Sequence, residues 1–257
     1  MNPSSYLSLE IVGVDLAITS ILLFGVRRAL MTAGHSSIQV RRTLITLGGL
    51  LFAWLALTLF LGASGLFQSA VSQPFPFISL AIVLPVLLGA LWIRGSRQVQ
   101  KIIEAVPQSW LVGIQFYRVV GVIFLLFYTA GQLPAVFALP AGVGDVLVGI
   151  TALVVAFLTA RHHSRSDQLI ALWNCLGIAD LVIAVATGFL SAPSRFQIFS
   201  LAAPNTLIGT FPLVMIPIYA VPLSVILHLA SLSKLRQNLF RPEERLGHSD
   251  FRNSNPV

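Results

Sequence analysis

Seven apolar stretches, each long enough to cross a bilayer, constrain the fold of this chain more than any other feature of its sequence. A transmembrane helix needs about 20 mostly apolar residues, and only 10% of the 257 residues are charged. A soluble domain usually carries about 25% charged residues. We therefore predict an all-α membrane protein, a seven-helix transmembrane bundle within residues 1–239. The predicted spans are 8–26, 43–66, 75–93, 112–131, 140–160, 168–190 and 208–232.

The distribution of basic residues predicts how these spans are oriented. Of the 16 Lys and Arg residues, 14 lie in connections and a tail on one face, Arg195 lies alone on the other, and Arg118 lies inside a span. Because cytoplasmic loops collect Lys and Arg, we expect the N-terminus outside and the C-terminus in the cytoplasm. Residues 240–257 are predicted to form a disordered cytoplasmic tail. The same rule explains the net charge of +7 without a nucleic-acid partner.

The order of the spans also suggests an internal duplication, a 3+1+3 parallel repeat in which spans one to three correspond to spans five to seven. Asp15 in span one then corresponds to Asp145 in span five, and Pro85 in span three corresponds to Pro222 in span seven. Parallel repeats are a feature of transporter folds. Rhodopsin-like bundles share the same span count and topology, so the pattern does not select one architecture.

Three aspartates lie inside the predicted spans, where ionisable groups are costly and usually face the bundle interior. Asp15 and Asp145 fall in the outer halves of spans one and five, and Asp180 falls near the middle of span six. Each is a candidate for a substrate or proton pathway. The alternatives are a tight packing seam along the small residues that precede and follow Asp145, and a structural hydrogen bond at Asp180.

Three further polar residues extend this candidate pathway. Arg118 in span four cannot readily lose its charge, so it must reach the membrane interface or pair with an acid, and Asp180 is the acid expected at its depth. Asn174 in span six is placed to donate to a neighbouring helix. His228 in span seven is the only histidine in a span. A single histidine favours a structural hydrogen bond over a metal site.

The sequence contains none of several well-known catalytic and cofactor motifs. It has no His-Glu-x-x-His, no Walker-type phosphate loop and no Gly-x-Ser-x-Gly,. Spans six and seven carry no lysine that could hold retinal, since the two lysines are Lys101 and Lys234. The sequence therefore assigns no catalytic residue, no metal site and no cofactor, and it favours a non-enzymatic protein without deciding the question.

Several strings in the second half of the chain resemble a known family. They are Trp110-Leu-Val-Gly-Ile-Gln-Phe-Tyr-Arg118, then Phe137-Ala-Leu-Pro-Ala-Gly-Val-Gly-Asp145, then Trp173-Asn174 with Asp180. They are similar to an uncharacterised family of small bacterial multi-pass membrane proteins, over about residues 107–232. The resemblance implies a location in the bacterial inner membrane and no particular activity.

Three classes of function remain open from the sequence. The leading hypothesis is a transporter for a small molecule or ion, with proton coupling through Asp145 or Asp180. The first alternative is an intramembrane enzyme or redox protein that acts on a lipid, quinone or haem, based on His228 and Arg118. The second is a membrane sensor or assembly partner. In each case the lipid bilayer is the expected partner, whereas the small-molecule ligand and the oligomeric state are not specified.

Overall fold

A computed structural model describes residues 3–68, 77–161, 165–200 and 202–239 of the chain. Within these ranges the secondary structure is helical and contains no strand. The predicted tail over residues 240–257 lies outside the described residues. The helices are α1 (Pro3–Thr32), α2 (Ser37–Ala63), α3 (Phe77–Gly95), α4 (Arg97–Ala105), α5 (Gln108–Gly113), α6 (Val122–Thr129), α7 (Ala135–Ala160), α8 (Ser166–Ser191) and α9 (Val221–Leu239).

The prediction of seven spans is confirmed in the described part of the chain, where seven helical segments are long and apolar enough to cross a membrane. Five of them are α1, α2, α3, α7 and α8. The fourth, Gln108–Thr129, joins α5 and α6 through a 3₁₀-helix over Ile114–Gly121. The seventh, Ile216–Asn238, begins with a π-helix over Ile216–Ala220 that continues into α9.

The seventh span lies at the centre of the bundle. α9 packs against α3, α4, α5 and α8, and more than half of its most apolar window is buried within the protein. By contrast α2 and α3 bury little of their surface, so most of their apolar side chains face outward. α7 packs closely against α8 and against the broken fourth span. The densest packing therefore surrounds spans four to seven.

The 3₁₀-helix in span four is unusually long, since such runs rarely exceed three or four residues. With three residues per turn, side chains three positions apart lie directly above one another. Gln115, Arg118 and Gly121 therefore share one face, and all three are buried. In an α-helix, each step of three residues would leave the side chains about 60° apart around the helix axis. The 3₁₀ geometry therefore directs these three residues toward one site.

Two boundaries differ from the sequence prediction. α7 begins at Ala135 rather than at residue 140, and it continues through Pro140. Residues 135–139, which lie outside the predicted span, thus form the first turn of this helix. The seventh span begins at Ile216 rather than at residue 208, because residues 207–215 form a short 3₁₀ turn and further turns that include Pro212.

Serine side chains cap the first turns of α2 and α4. Ser36 caps α2, where its hydroxyl accepts from the Gln39 N–H and the Gln39 side chain accepts from the Ser36 N–H. This reciprocal pair satisfies two of the free N–H groups that begin a helix. Ser96 caps α4 through its hydroxyl, which accepts from the Val99 N–H. The short α1–α2 connection makes these two packed helices run antiparallel.

The predicted orientation, with the N-terminus outside, rests on the charge distribution and can be tested with single cysteines. In a Cys175→Ser background, we expect a membrane-impermeant maleimide to label Gln132→Cys in intact cells, because the α6–α7 connection lies on the sparsely charged face. Ala33→Cys, in the α1–α2 turn, should label only after permeabilisation. Both positions are exposed. The reverse labelling pattern would contradict the predicted orientation, and the cysteine-free protein is the control.

Candidate functional site

An arginine and two aspartates from three different spans meet in the interior of the bundle. Arg118 is 3% exposed and comes from the 3₁₀-helix. Its Nε donates to Asp145 Oδ1 of α7 at 2.8 Å, and its Nη2 lies 2.7 Å from the same oxygen. Nη2 also donates to Asp180 Oδ2 of α8. We call these three residues the Arg118 cluster.

Each member of the cluster lies near the middle of its helix. Arg118 is ten residues from the start of span four, Asp145 ten from the start of α7, and Asp180 fourteen from the start of α8. At 1.5 Å per residue these separations correspond to roughly 15–20 Å of helix. The three charged groups are therefore well inside the apolar segments, where water cannot easily compensate them.

Three glycines make room for the cluster. A Cβ at Gly121 would lie 2.4 Å from Asp145 Cβ, and a Cβ at Gly144 would lie 1.6 Å from Asp180 Oδ1. A Cβ at Gly177 would lie 2.4 Å from His228 Cε1. Real Cβ atoms do not approach so closely, so any side chain at these positions would push the charged groups apart.

His228 fills the remaining side of the guanidinium. Arg118 Nη1 lies 3.2 Å from His228 Nε2 and donates to the Gly177 carbonyl at 3.4 Å. Since arginine can only donate, Nε2 is the acceptor. His228 Nδ1 then donates to Asn174 Oδ1 at 2.8 Å. The hydrogen bonds thus fit the neutral imidazole with its proton on Nδ1, and metal coordination would require one of these bonds to break.

A chain of hydrogen bonds continues from His228 toward the start of span four. Asn174 Nδ2 donates to the Ile170 carbonyl at 2.8 Å and to Ser231 Oγ at 2.9 Å. Gln108 Nε2 also donates to Ser231 Oγ, at 2.7 Å. The side chains of Asn174, Ser231 and His228 are almost entirely buried. This side of the cluster is therefore closed by a continuous polar network, in which Gln108 Oε1 is buried without a hydrogen-bond partner among the described residues.

Two cavities border the cluster on its other sides, and Asp145 lines both. The first, about 80 Å³, is called here the Phe137 cavity. It is mainly apolar, is lined by Phe124, Phe137 and Leu181, and ends at Arg195 in the α8–α9 connection. The second, about 40 Å³, is called the Asp15 cavity. Its polar lining consists of Asp15, Tyr117, Arg118, Asp145 and Ser224.

Asp15 has a different environment from the other two aspartates. It is 2% exposed, and its Oδ2 has no hydrogen-bond partner among the described residues. Thr19 donates to the Asp15 backbone carbonyl and contacts the Tyr219 hydroxyl, so it does not serve the carboxyl group. A buried carboxylate without a partner is costly. Its charge must therefore be neutralised by a proton or a cation.

The broken part of span four contacts the irregular start of span seven. Gln115 donates to the Ser224 carbonyl at 3.0 Å, and Tyr117 donates to the Ala220 carbonyl at 3.0 Å. The Tyr117 and Ser224 hydroxyls also contact each other. Ala220 ends the π-helix and Pro222 follows it. A 3₁₀-helix and a π-helix, both common at functional sites, thus meet beside the Arg118 cluster.

The structure confirms some of the predicted contacts and changes others. The Arg118–Asp180 ion pair is present, and Asn174 donates to the seventh span as expected. Asp145, however, is a second partner of Arg118, which was not predicted. Asp145 still falls in the first half of α7, but it lies ten residues from the start of the helix, because α7 begins about a turn and a half earlier than the predicted span. Asp15 shares a cavity with Asp145, as the proposed repeat suggested, but the repeat itself stays a prediction.

Sequence reasoning missed the residues that complete the site. The close packing at Gly121, Gly144 and Gly177 was not predicted, although a Cβ at these positions would meet Asp145, Asp180 and His228 respectively. Ser231 and Gln108 were not linked to Asn174 because they lie far from it in sequence. The sequence did contain a signal for this packing: Gly121 lies three residues after Arg118, and Gly177 lies three residues before Asp180. Glycines at these positions allow helices to approach closely.

These features define an integral membrane protein, a bundle of seven apolar helices with a buried ionic cluster. The chain belongs to the family described as Domain of unknown function (DUF8737), whose model matches residues 75–236. The matched region contains the whole Arg118 cluster, His228 and Asn174, whereas Asp15 precedes it. No curated protein and no solved structure is detectably similar to the chain. The family carries no assigned activity, so function must be argued from the site.

The glycine contacts predict that the same Gly→Ala substitution has very different effects on stability at two positions. Gly121→Ala should lower the free energy of unfolding by about 1–3 kcal/mol, because overpacking displaces Asp145. Gly13→Ala, on the exposed face of α1 with no atom within 4 Å, should leave stability unchanged or raise it by up to about 1 kcal/mol. Thermal unfolding in detergent measures both. Equal effects of the two variants would contradict the close packing at Gly121.

Removal of Arg118 should strongly destabilise the protein. Arg118→Met leaves two buried carboxylates without a cation, and such a loss typically costs about 3–5 kcal/mol. The triple variant with Asp145→Asn and Asp180→Asn removes all three charges and should recover much of that loss. Unfolding of the single and triple variants is compared in the same detergent. A triple variant no more stable than Arg118→Met would contradict an electrostatic origin of the effect.

Proposed function

We propose that this protein is a proton-coupled carrier for a small molecule, with the Arg118 cluster as its coupling site. A location in the bacterial inner membrane, with the N-terminus outside, is part of the same proposal. The observation that carries it is the charge imbalance of the cluster: two carboxylates share a single guanidinium inside the membrane-spanning segments. A purely structural ion pair would need one carboxylate per arginine.

The imbalance supplies a reason to bind and release a proton. With both aspartates ionised, the cluster carries a net charge of −1 in a site of low polarity, which is unfavourable. One proton on Asp145 or Asp180 makes the cluster neutral while Arg118 stays paired. His228 does not supply the missing positive charge, because its hydrogen bonds fit the neutral ring. Protonation would therefore change which oxygens Arg118 contacts.

Access to the cluster differs on its two sides, as an alternating-access mechanism requires. Asp145 borders the Phe137 cavity, which leads toward Arg195. On the other side the hydrogen-bonded chain from His228 to Gln108 fills the interior. This arrangement supports a carrier that is open toward the Arg195 face and closed toward the opposite face.

The irregular helices supply candidate moving parts. Conversion of Ile114–Gly121 from 3₁₀ to α geometry would rotate Arg118 relative to Asp145, because the two helices have different residues per turn. Span seven is already interrupted at the contact point by the π-helix and Pro222. Interrupted helices line the binding sites of many carriers. Proton binding at Asp145 could thus be coupled to movement of spans four and seven.

The lining of the Phe137 cavity limits the class of cargo. Most of its side chains are aromatic or aliphatic, and Asp145 is the acid among them. A compact molecule with an apolar body, neutral or bearing one positive charge, matches that lining. Multiply charged anions and large sugars do not, because most of the walls offer no polar group to replace their hydration and Arg195 lies only at one end of the cavity.

Transport is tested in proteoliposomes that contain the pH indicator pyranine. Pools of amines, amino acids and small aromatic compounds are added outside, and the internal pH is followed. We expect a pH change with at least one pool, and its loss in Asp145→Asn and in Asp180→Asn. Each Asn variant leaves Arg118 paired with the remaining aspartate, so both should fold while losing the extra ionisable carboxyl group.

The matched control is Glu10→Gln, which removes an exposed carboxyl group from α1 outside the cluster. It should transport as the unmodified protein does, with the same yield and melting temperature. Transport that persists in both Asn variants would contradict a coupling role for the cluster. A pH response absent for every pool with the unmodified protein would contradict the carrier itself.

A further inference from the structure

A long apolar cleft lies between α2 and α3, on the side of the bundle opposite the closely packed α7 and α8. α2 packs mainly on α1, and α3 packs on α9, so the two helices diverge from each other. The cleft has a volume of about 910 Å³, more than ten times that of the Phe137 cavity. Its floor is formed by Leu223, Ile226, Leu227 and Ala230 of the seventh span.

The chemistry of the cleft changes along its length. Its described lining contains no charged side chain, and the walls are mainly Leu, Ile and Trp, including Trp54 and Trp92. Thr43, Ser96 and Gln98 lie together at the end where α2 begins and α3 ends. Leu66, Phe67 and Phe77 line the other end. A molecule that fits this gradient has one polar end and a long apolar body.

A group of basic residues borders the polar end. Arg41 and Arg42 lie in the first turns of α2, and Arg94, Arg97 and Lys101 lie at the end of α3 and in α4. All five side chains are exposed. We call this group the basic mouth. Lys and Arg at a membrane surface attract anionic lipid headgroups, so the charge at this end complements a phosphate.

We propose that the cleft is a binding site for one anionic phospholipid, with its acyl chains between α2 and α3 and its phosphate at the basic mouth. The amphiphilic gradient and the charge at one end both select this ligand. A water-soluble cargo would find no hydrogen-bonding groups within the cleft. A second copy of the chain, brought to this face by a twofold axis, would place its own basic mouth against the first.

The site is independent of the proposed carrier activity, because none of its residues belongs to the Arg118 cluster. It nevertheless touches the same span: Leu223 and Leu227 in the floor flank Ser224 and His228, which face the polar network. A lipid seated in the cleft would support the side of span seven that lacks a neighbouring helix.

The first test measures phospholipid retained by the protein purified from bacterial membranes, using native mass spectrometry. Phosphatidylglycerol or cardiolipin should be retained in preference to phosphatidylethanolamine. Ala53→Trp places a large side chain into the cleft and should remove the lipid. Its matched control is Ala56→Trp, on the same helix, exposed and outside the cleft, which should retain it. Equal retention by the two variants, or dimers without lipid, would overturn the proposal.

A second variant tests the charge at the mouth without filling the cleft. Arg94→Gln, Arg97→Gln and Lys101→Gln together should weaken retention of the anionic lipid at least fivefold, since each basic residue near a membrane surface contributes about a factor of five. The control removes three exposed charges elsewhere, through Arg27→Gln, Arg28→Gln and Arg161→Gln. The same loss in both triple variants would show general surface attraction and overturn a defined site.

A third measurement locates the lipid in the membrane-embedded protein. Brominated lipid quenches nearby tryptophan, and two of the four tryptophans line the cleft. Brominated phosphatidylglycerol, added as a minor component of phosphatidylcholine vesicles, should quench more than the same amount of brominated phosphatidylcholine. The Trp54→Phe/Trp92→Phe variant should lose this difference. Equal quenching by the two lipids would overturn the preference for an anionic headgroup.

Discussion

The interior of this bundle is organised by a charge that cannot be removed. A guanidinium stays protonated in proteins and presents five N–H donors, so burial of Arg118 obliges its neighbours to supply both negative charge and acceptors. Asp145, Asp180, the Gly177 carbonyl and His228 meet that need from three different spans. These contacts fix the positions of spans four, five, six and seven relative to one another.

The same requirement explains features that otherwise have no common cause. A guanidinium can be surrounded by three helices only if their backbones approach closely, and Gly121, Gly144 and Gly177 permit that approach. The 3₁₀ geometry of span four directs Gln115, Arg118 and Gly121 to a single face. The tautomer of His228 also follows from this requirement. Arg118 donates to Nε2, so Nε2 must be the acceptor and the ring proton lies on Nδ1.

The features that depend on composition could be predicted from the sequence. The features that depend on helix boundaries and on rotation about the helix axis could not. Span number followed from apolar length, and the Arg118–Asp180 pair followed from counting residues along two helices. The same count did not predict Asp145 as a partner of Arg118, since span five was predicted to begin at residue 140 whereas α7 begins at Ala135. Ser231, Gln108 and the glycine contacts depend on helix rotation about the axis, which hydropathy does not encode.

The bundle divides into a closely packed part and a loosely packed part, and the division bears on both proposals. Residues 75–236, which match the family, contain every member of the Arg118 cluster and of its hydrogen-bonded network. α1 and α2 precede this region; α1 contributes Asp15 to one cavity, and α2 forms one wall of the apolar cleft proposed to bind lipid. Span seven is the element that both parts share. A lipid bound as proposed would therefore contact the same helix whose opposite face carries His228 against Arg118, so span seven is the element through which the two proposed sites could influence each other without direct contact.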